Sequence, residues 1–144
     1  EHLIFCAVAP KSVANRQTYI VSLGQTETYA SIGQEAARGL LKEWLVYFRI
    51  GQNTPLPFFA KTSLAAAEEY SKKEDWDAAL RKAYEVFNGN KMSKGQKEYT
   101  EVKLVFGHSE ESPLDEPLFE NLVVNLLVPL LNSAAGKNNA TEQE

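Results

Sequence analysis

Few residues in this chain have types and spacings that could carry chemistry. Cys6 is the chain's one thiol, and His2 and His108 are its two imidazoles. One cysteine allows neither an internal disulfide nor a cysteine-based zinc site, and two histidines are too few for a histidine-rich centre. A Cys–His nucleophile built on Cys6 would sit inside an apolar run, where a thiol reads as a core side chain. Glu101-Val-Lys103 has the form with which many metal-dependent nucleases hold Mg²⁺ and position water, provided an Asp precedes it on a neighbouring strand. The aspartates are Asp75, Asp77 and Asp115; the first two open a helix and the third caps one. None supplies a strand carboxylate, and Glu101-Val-Lys103 falls where helix is favoured. A solvated helix face is the preferred reading, because hydrolysis needs clustered carboxylates. An active Mg²⁺-dependent nuclease using Glu101 and Lys103 is the alternative.

Charge forms two further groups. Lys91, Lys94, Lys97 and Lys103 could meet a phosphate backbone, yet Glu98 and Glu101 lie among them. Mixed sign of this kind reads first as a solvated loop. Glu110, Glu111, Asp115, Glu116 and Glu120 fit a helix N-terminus, with an acidic contact to a partner as the other reading. Glycine-rich phosphate loops and a Gly-x-Ser-x-Gly elbow are absent.

These groups need elements to position them. The chain has 144 residues, one domain's worth, and a chain of this length buries about 70% of its unfolded surface. It is 44% apolar and 24% charged, which argues against a disordered or fibrous chain. The net charge of −4 and pI near 5.3 give no support to binding nucleic acid by bulk charge. The longest apolar run, Leu122–Leu131, falls short of the roughly 18 residues of a membrane span, and the start of the chain does not read as a signal peptide. Without an initiator Met the chain reads as a piece of something longer. Low cysteine use fits a reducing compartment, and cytoplasmic localisation is expected.

Residues 2–9 are apolar on both alternating faces and read as a buried central strand ending at Pro10. Gln17–Leu23 and Thr26–Ile32 follow as strands, with Gly24 between them, completing an antiparallel meander. Over Gln34–Arg49 the period becomes helical: Ala37, Leu40, Leu41, Trp44, Leu45 and Phe48 share a face, and Gly51 ends it. Pro55 and Pro57 force an extended path, and at least one of Phe58 and Phe59 must dock on the core. Thr62 or Ser63 can cap a helix to about Lys73, and Asp75 starts another that Asn88-Gly89-Asn90 stops. Lys91–Gln96 is a polar loop. Tyr99–Phe106 fits either helix or strand, with helix favoured. A leucine-rich helix opens near Asp115, with Pro117 in its first turn and Pro129 kinking it or marking its last turns. Trp44 and Trp76 read as core.

The segment Gly51–Ser63, with Pro55-Leu-Pro57-Phe58-Phe59 and Lys61-Thr62-Ser63, resembles the RecC C-terminal domain family. The likeness continues through Ala78–Asn90, Pro113-Leu-Asp115 and Leu126–Leu130. It implies a non-catalytic piece of the subunit that works with RecB- and RecD-like partners on double-stranded DNA ends in recombinational repair. ATP and Mg²⁺ would be used by those partners, with no cofactor in this chain, and unwound single strands would be handled by the parent complex, with no membrane involved. The resemblance also implies an inactive PD-(D/E)XK nuclease-like fold. The expected architecture is α+β: a three-stranded antiparallel sheet followed by four or five helices, incomplete at its N-terminal edge. Residues 1–132 are expected to form the domain and residues 133–144 a disordered tail. Pro55, Pro57, Phe58, Phe59, Lys61, Lys91, Lys94 and Lys97 are the candidate DNA or partner contacts. A stand-alone helical interaction module is the remaining alternative.

Overall fold

The computed structural model describes residues 1–134, and the greater part of the expected tail lies outside the described residues. It is a mostly helical α+β structure in two compact units: residues 1–48 with the segment from Pro129, and Arg49–Val128.

In the first unit, α1 (His2–Val8) stands where a buried strand was expected. His2, Leu3, Cys6 and Ala7 are buried, while Ile4, Phe5 and Val8 are exposed. That spacing of i, i+1, i+4 and i+5 is a helical stripe. A run apolar at every position is compatible with either period, so its packing decided the outcome. Two donors from α2 (Gln34–Gly51) converge on the C-terminal end of α1: Gln34 Nε2 and Arg38 Nε donate to the Ala7 carbonyl at 3.0 and 3.2 Å. A helix end otherwise leaves such carbonyls without partners.

Strands β1 (Thr18–Ser22) and β2 (Gln25–Tyr29) pair antiparallel, Thr18 opposite Tyr29 and Ser22 opposite Gln25. The two-residue turn Leu23-Gly24 joins them, with Gly24 at φ 83°, which glycine adopts without a Cβ penalty. Because α1 is helical, the expected three-stranded sheet is not formed, and this hairpin stands as a two-stranded sheet. The core of the unit is Leu3, Cys6, Ala7, Ile32 and Ala37, with Leu40, Leu41, Trp44 and Leu130 packed against it. Leu45 and Phe48 were expected on the buried face of α2 but are 58% and 63% exposed.

In the second unit Pro57 and Phe59 dock in the core, as the prolines and paired aromatics required, while Phe58 stays 37% exposed. Helix α3 (Ala60–Lys73) begins earlier than expected, with Phe59 at its N-cap. Ser63 still serves the cap from inside the helix, its Oγ accepting from the Phe59 N–H at 3.0 Å. Helix α4 (Trp76–Asn88) is capped by Asp75, which accepts from the Ala78 N–H. Fully buried alanines, Ala66 and Ala67 on α3 and Ala79 and Ala83 on α4, leave little bulk between the two helices. Phe59 stacks in tilted contact with Phe87 at 5.0 Å and edge-on to Phe106 at 5.4 Å. Trp76 lies between Tyr70 and Phe119.

The expected loop after α4 is a small hairpin, β3 (Gly89–Asn90) and β4 (Ser93–Lys94), followed by a 3₁₀ turn, Gln96–Glu98. The ambiguous Tyr99–Phe106 segment is helical, α5 (Thr100–Phe106). The leucine-rich segment starts at Pro117 as α6 (Pro117–Leu122), widens into a π turn over Val123–Leu127, and continues as α7 (Val128–Ala134). The π turn immediately precedes the region of Pro129, where a missing N–H and ring crowding disrupt a regular α ladder. Ser133, at the expected start of the tail, is buried within α7, and its carbonyl accepts from the Ala30 N–H at 3.2 Å.

Candidate interaction surfaces

The second unit brings together lysines that are far apart in sequence. Lys61 comes from the first turn of α3, Lys82 from the middle of α4 and Lys94 from β4. With Glu85, Gly89, Asn90, Ser93 and Gln96 they line one cleft of about 210 Å³. Lys82 donates to Glu85 Oε2 at 2.8 Å, and that bond raises the ammonium above its ordinary pKa. Lys94 Nζ lies 5.9 Å from the centre of the Tyr99 ring, within reach of a cation–π contact. The lining holds three lysines and one glutamate, with Glu69 and Glu98 close enough to act on Lys82 and Lys94 but paired to Lys73 and Lys103, although the chain as a whole is negative.

Gln96 ties the cleft to the core. It is buried, and its Oε1 accepts from the Thr62 N–H at 2.7 Å. Thr62 is in the first turn of α3, where amides have no intrahelical acceptor, so a side chain 34 positions away completes the helix end. With its oxygen turned to the helix end, Gln96 keeps both N–H donors of its amide for the cleft side.

Of the residues singled out from sequence, Lys61 and Lys94 therefore meet. Lys97 turns to Asn88, donating to its Oδ1 at 2.9 Å, and lines a different cleft, of about 430 Å³, with Lys103, Glu110 and Glu111. Lys91 is exposed in the β3–β4 turn. Pro55 and Phe58 are exposed, while Pro57 and Phe59 are buried in the core, where apolar burial favours them. Lys82 and Gln96 escaped sequence reasoning. Neither has a local signal; only the meeting of α3, α4 and the hairpin gives them a role.

Glu101 and Lys103 lie on α5, not on a strand, and Lys103 is bound to Glu98 at 2.7 Å. That bond holds the Glu98 carboxyl below its ordinary pKa. No group of three His, Cys, Asp or Glu side chains is placed to hold a metal ion among the described residues.

The first unit has a larger and apolar groove, about 780 Å³, lined by Leu3, Ile4, Tyr19, Val21, Trp44 and Leu130 among others. Tyr19 and Val21 are 60% and 75% exposed, and Leu23 at the hairpin tip is fully exposed. Apolar side chains grouped at the surface in this way make the groove a candidate for binding another protein.

At the floor of this unit His2 and Cys6 sit one helical turn apart and are buried. His2 Nδ1 is 2.9 Å from Thr18 Oγ1, and Cys6 Sγ is 3.7 Å from His2 Nε2 and 3.6 Å from the Arg16 carbonyl oxygen. Burial holds the imidazole below its ordinary value of 6.5, opposed by a hydrogen bond to the Ala30 backbone. The unfolded chain therefore takes up the proton first as pH falls. Stability associated with neutral His2 is present above 6.5 and is lost as pH drops through that value toward the lower folded pKa. Thermal melts on either side of it are expected to show a fall in Tm that a His2→Asn variant lacks.

The model of the RecC C-terminal domain family matches residues 1–71. The first unit's helix–hairpin–helix and the Pro-Leu-Pro-Phe-Phe segment lie inside the match; the later stretches of resemblance lie outside it. No curated protein matches the chain. No helix among the described residues is long and apolar enough to cross a membrane. Over residues 1–71, just under half of its length, the chain is therefore similar to the RecC C-terminal domain family, part of a subunit of RecBCD.

Proposed function

We propose that this chain is a non-catalytic part of the RecC-like subunit of the RecBCD helicase–nuclease, supporting complex assembly and DNA strand handling in double-strand-break repair and recombination. The family match over residues 1–71 carries this reading. The exposed apolar groove of the first unit supports the assembly half, and the lysine cleft of the second supports the strand-handling half. RecB-like and RecD-like subunits are the partners, and double-stranded ends and unwound single strands are met within the parent complex. ATP and Mg²⁺ are used by the partner subunits, with no cofactor in this chain, and the compartment is the cytoplasm. The domain extends past the matched residues to about 132, since Leu130 completes the packing of the first unit.

Capture of RecB-like and RecD-like subunits by the tagged chain tests the reading. Retention of at least one is expected, and it should weaken when Tyr19 and Val21 are changed together to Ser. A folded chain that retains neither partner sinks the assembly role. Mg²⁺-dependent cutting by the chain alone, abolished by Lys103→Ala, would replace this reading with that of an active nuclease.

A further inference from the structure

We propose that the Lys61–Lys82–Lys94 cleft is a seat for one backbone phosphate of a nucleic-acid strand; the inference rests on the strand-handling role above and gives it a place. Three lysines and one glutamate line the cleft in a chain whose net charge is −4; the nearby Glu69 and Glu98, which act on Lys82 and Lys94, are themselves bonded to Lys73 and Lys103. Charge gathered against the sign of the whole molecule is local complementarity, not bulk attraction. The remaining polar groups suit the same ligand. Asn90, Ser93 and Gln96 line the cleft, and Gln96, whose oxygen accepts from the Thr62 N–H, has two amide donors to offer. Lysines with side-chain amide and hydroxyl groups are the usual partners of phosphate oxygens, where they position a strand without reading its bases.

A cleft of about 210 Å³ admits a phosphate with part of its sugar. Gly89 lies in its wall and brings a stretch of backbone without a side chain to the surface. Lys94 Nζ lies 5.9 Å from the centre of the Tyr99 ring, at the outer reach of a cation–π contact. Lys82 is shared with Glu85, and a phosphate entering the cleft would compete with that carboxylate for it.

Fluorescence anisotropy of a labelled oligothymidylate with the full chain tests the proposal, at several salt concentrations. Wild type is expected to bind. The triple variant Lys61→Gln, Lys82→Gln, Lys94→Gln should bind at least about tenfold more weakly, the scale of charge-assisted hydrogen bonds. Its slope of log affinity against log salt should be shallower by about 0.7, the contribution of one single-strand phosphate. Lys42→Gln, in the other unit, serves as the control and should change neither. Equal affinity and slope in wild type and triple variant would overturn the cleft while leaving DNA binding itself intact. No oligothymidylate binding by a chain that still captures its partner subunits would also overturn the cleft and leave the assembly role standing. Binding of inorganic phosphate without oligothymidylate would overturn it in favour of a small-anion site.

Discussion

Truncating Phe59 to Ala is expected to destabilise the second unit by about 3–5 kcal/mol, while truncating its neighbour Phe58 should cost about 1 kcal/mol or less. The two residues are the same type and adjacent in sequence, so composition and local propensity cancel in the comparison. Phe59 is 5% exposed and Phe58 is 37% exposed. Phe59 touches the rings of Phe87 on α4 and Phe106 on α5, so its removal opens a cavity shared by three segments. Phe87 is itself buried and can close the gap only in part. Its backbone also forms the N-cap of α3, with the N–H given to Ser63 Oγ. Urea denaturation of both variants checks the pair. A shift in midpoint at unchanged m-value is the signature expected for Phe59→Ala, and equal losses in the two variants would show that the core is not arranged as described.

Gly95→Ala should be the second large loss, about 3 kcal/mol or more, at the upper end of what overpacking costs. A Cβ on Gly95 would lie 2.3 Å from the Phe87 carbonyl oxygen and 2.3 Å from the Asn88 carbonyl carbon. Both are backbone atoms at the end of α4 and cannot rotate aside. Gly89 faces the same contact from the other side: its own Cβ would come within 2.3 Å of the Gly95 nitrogen, at φ 70°. The two glycines let the hairpin return against the last turn of α4. Gly95 also precedes Gln96, whose Oε1 completes the first turn of α3, so displacement there unties the cap on Thr62 as well. Weaker oligothymidylate binding is expected to accompany the loss. Gly39→Ala is the control. That position lies inside α2 with nothing within 4 Å of an added Cβ, and the change should stabilise by about 0.5–1 kcal/mol. The same substitution thus has opposite signs at two sites, and chemical denaturation reads both.

Local chemistry carried much of the second unit. Two prolines two residues apart exclude helix whatever surrounds them, and Asp75 caps α4 through its own carboxylate. Helix periodicity placed α2, α3 and α4, and Trp44 and Trp76 fell on packed faces, since an amphipathic stripe must be covered. That no aspartate lies on a strand ahead of Glu101-Val-Lys103 was also readable from the chain, and the helix favoured for that motif is the one that forms.

Residues 2–8 show where such reading stops. Every position there is apolar or nearly so, and a run without contrast has no period of its own. Packing on Ile32, Ala37 and Leu130, all distant in sequence, made it a helix and removed the third strand. Leu45 and Phe48 fit a buried face by spacing, yet burial requires a partner, and their side chains remain exposed. The lysine cleft belongs to the same class. Sequence alone determined that the chain is acidic overall, with lysines distributed along it and an extended Pro-Leu-Pro segment leading into a helix. Only the tertiary structure decided that Lys61, Lys82 and Lys94 converge while Lys91 and Lys97 do not, because side chains on α3, α4 and a hairpin can meet only after those elements pack.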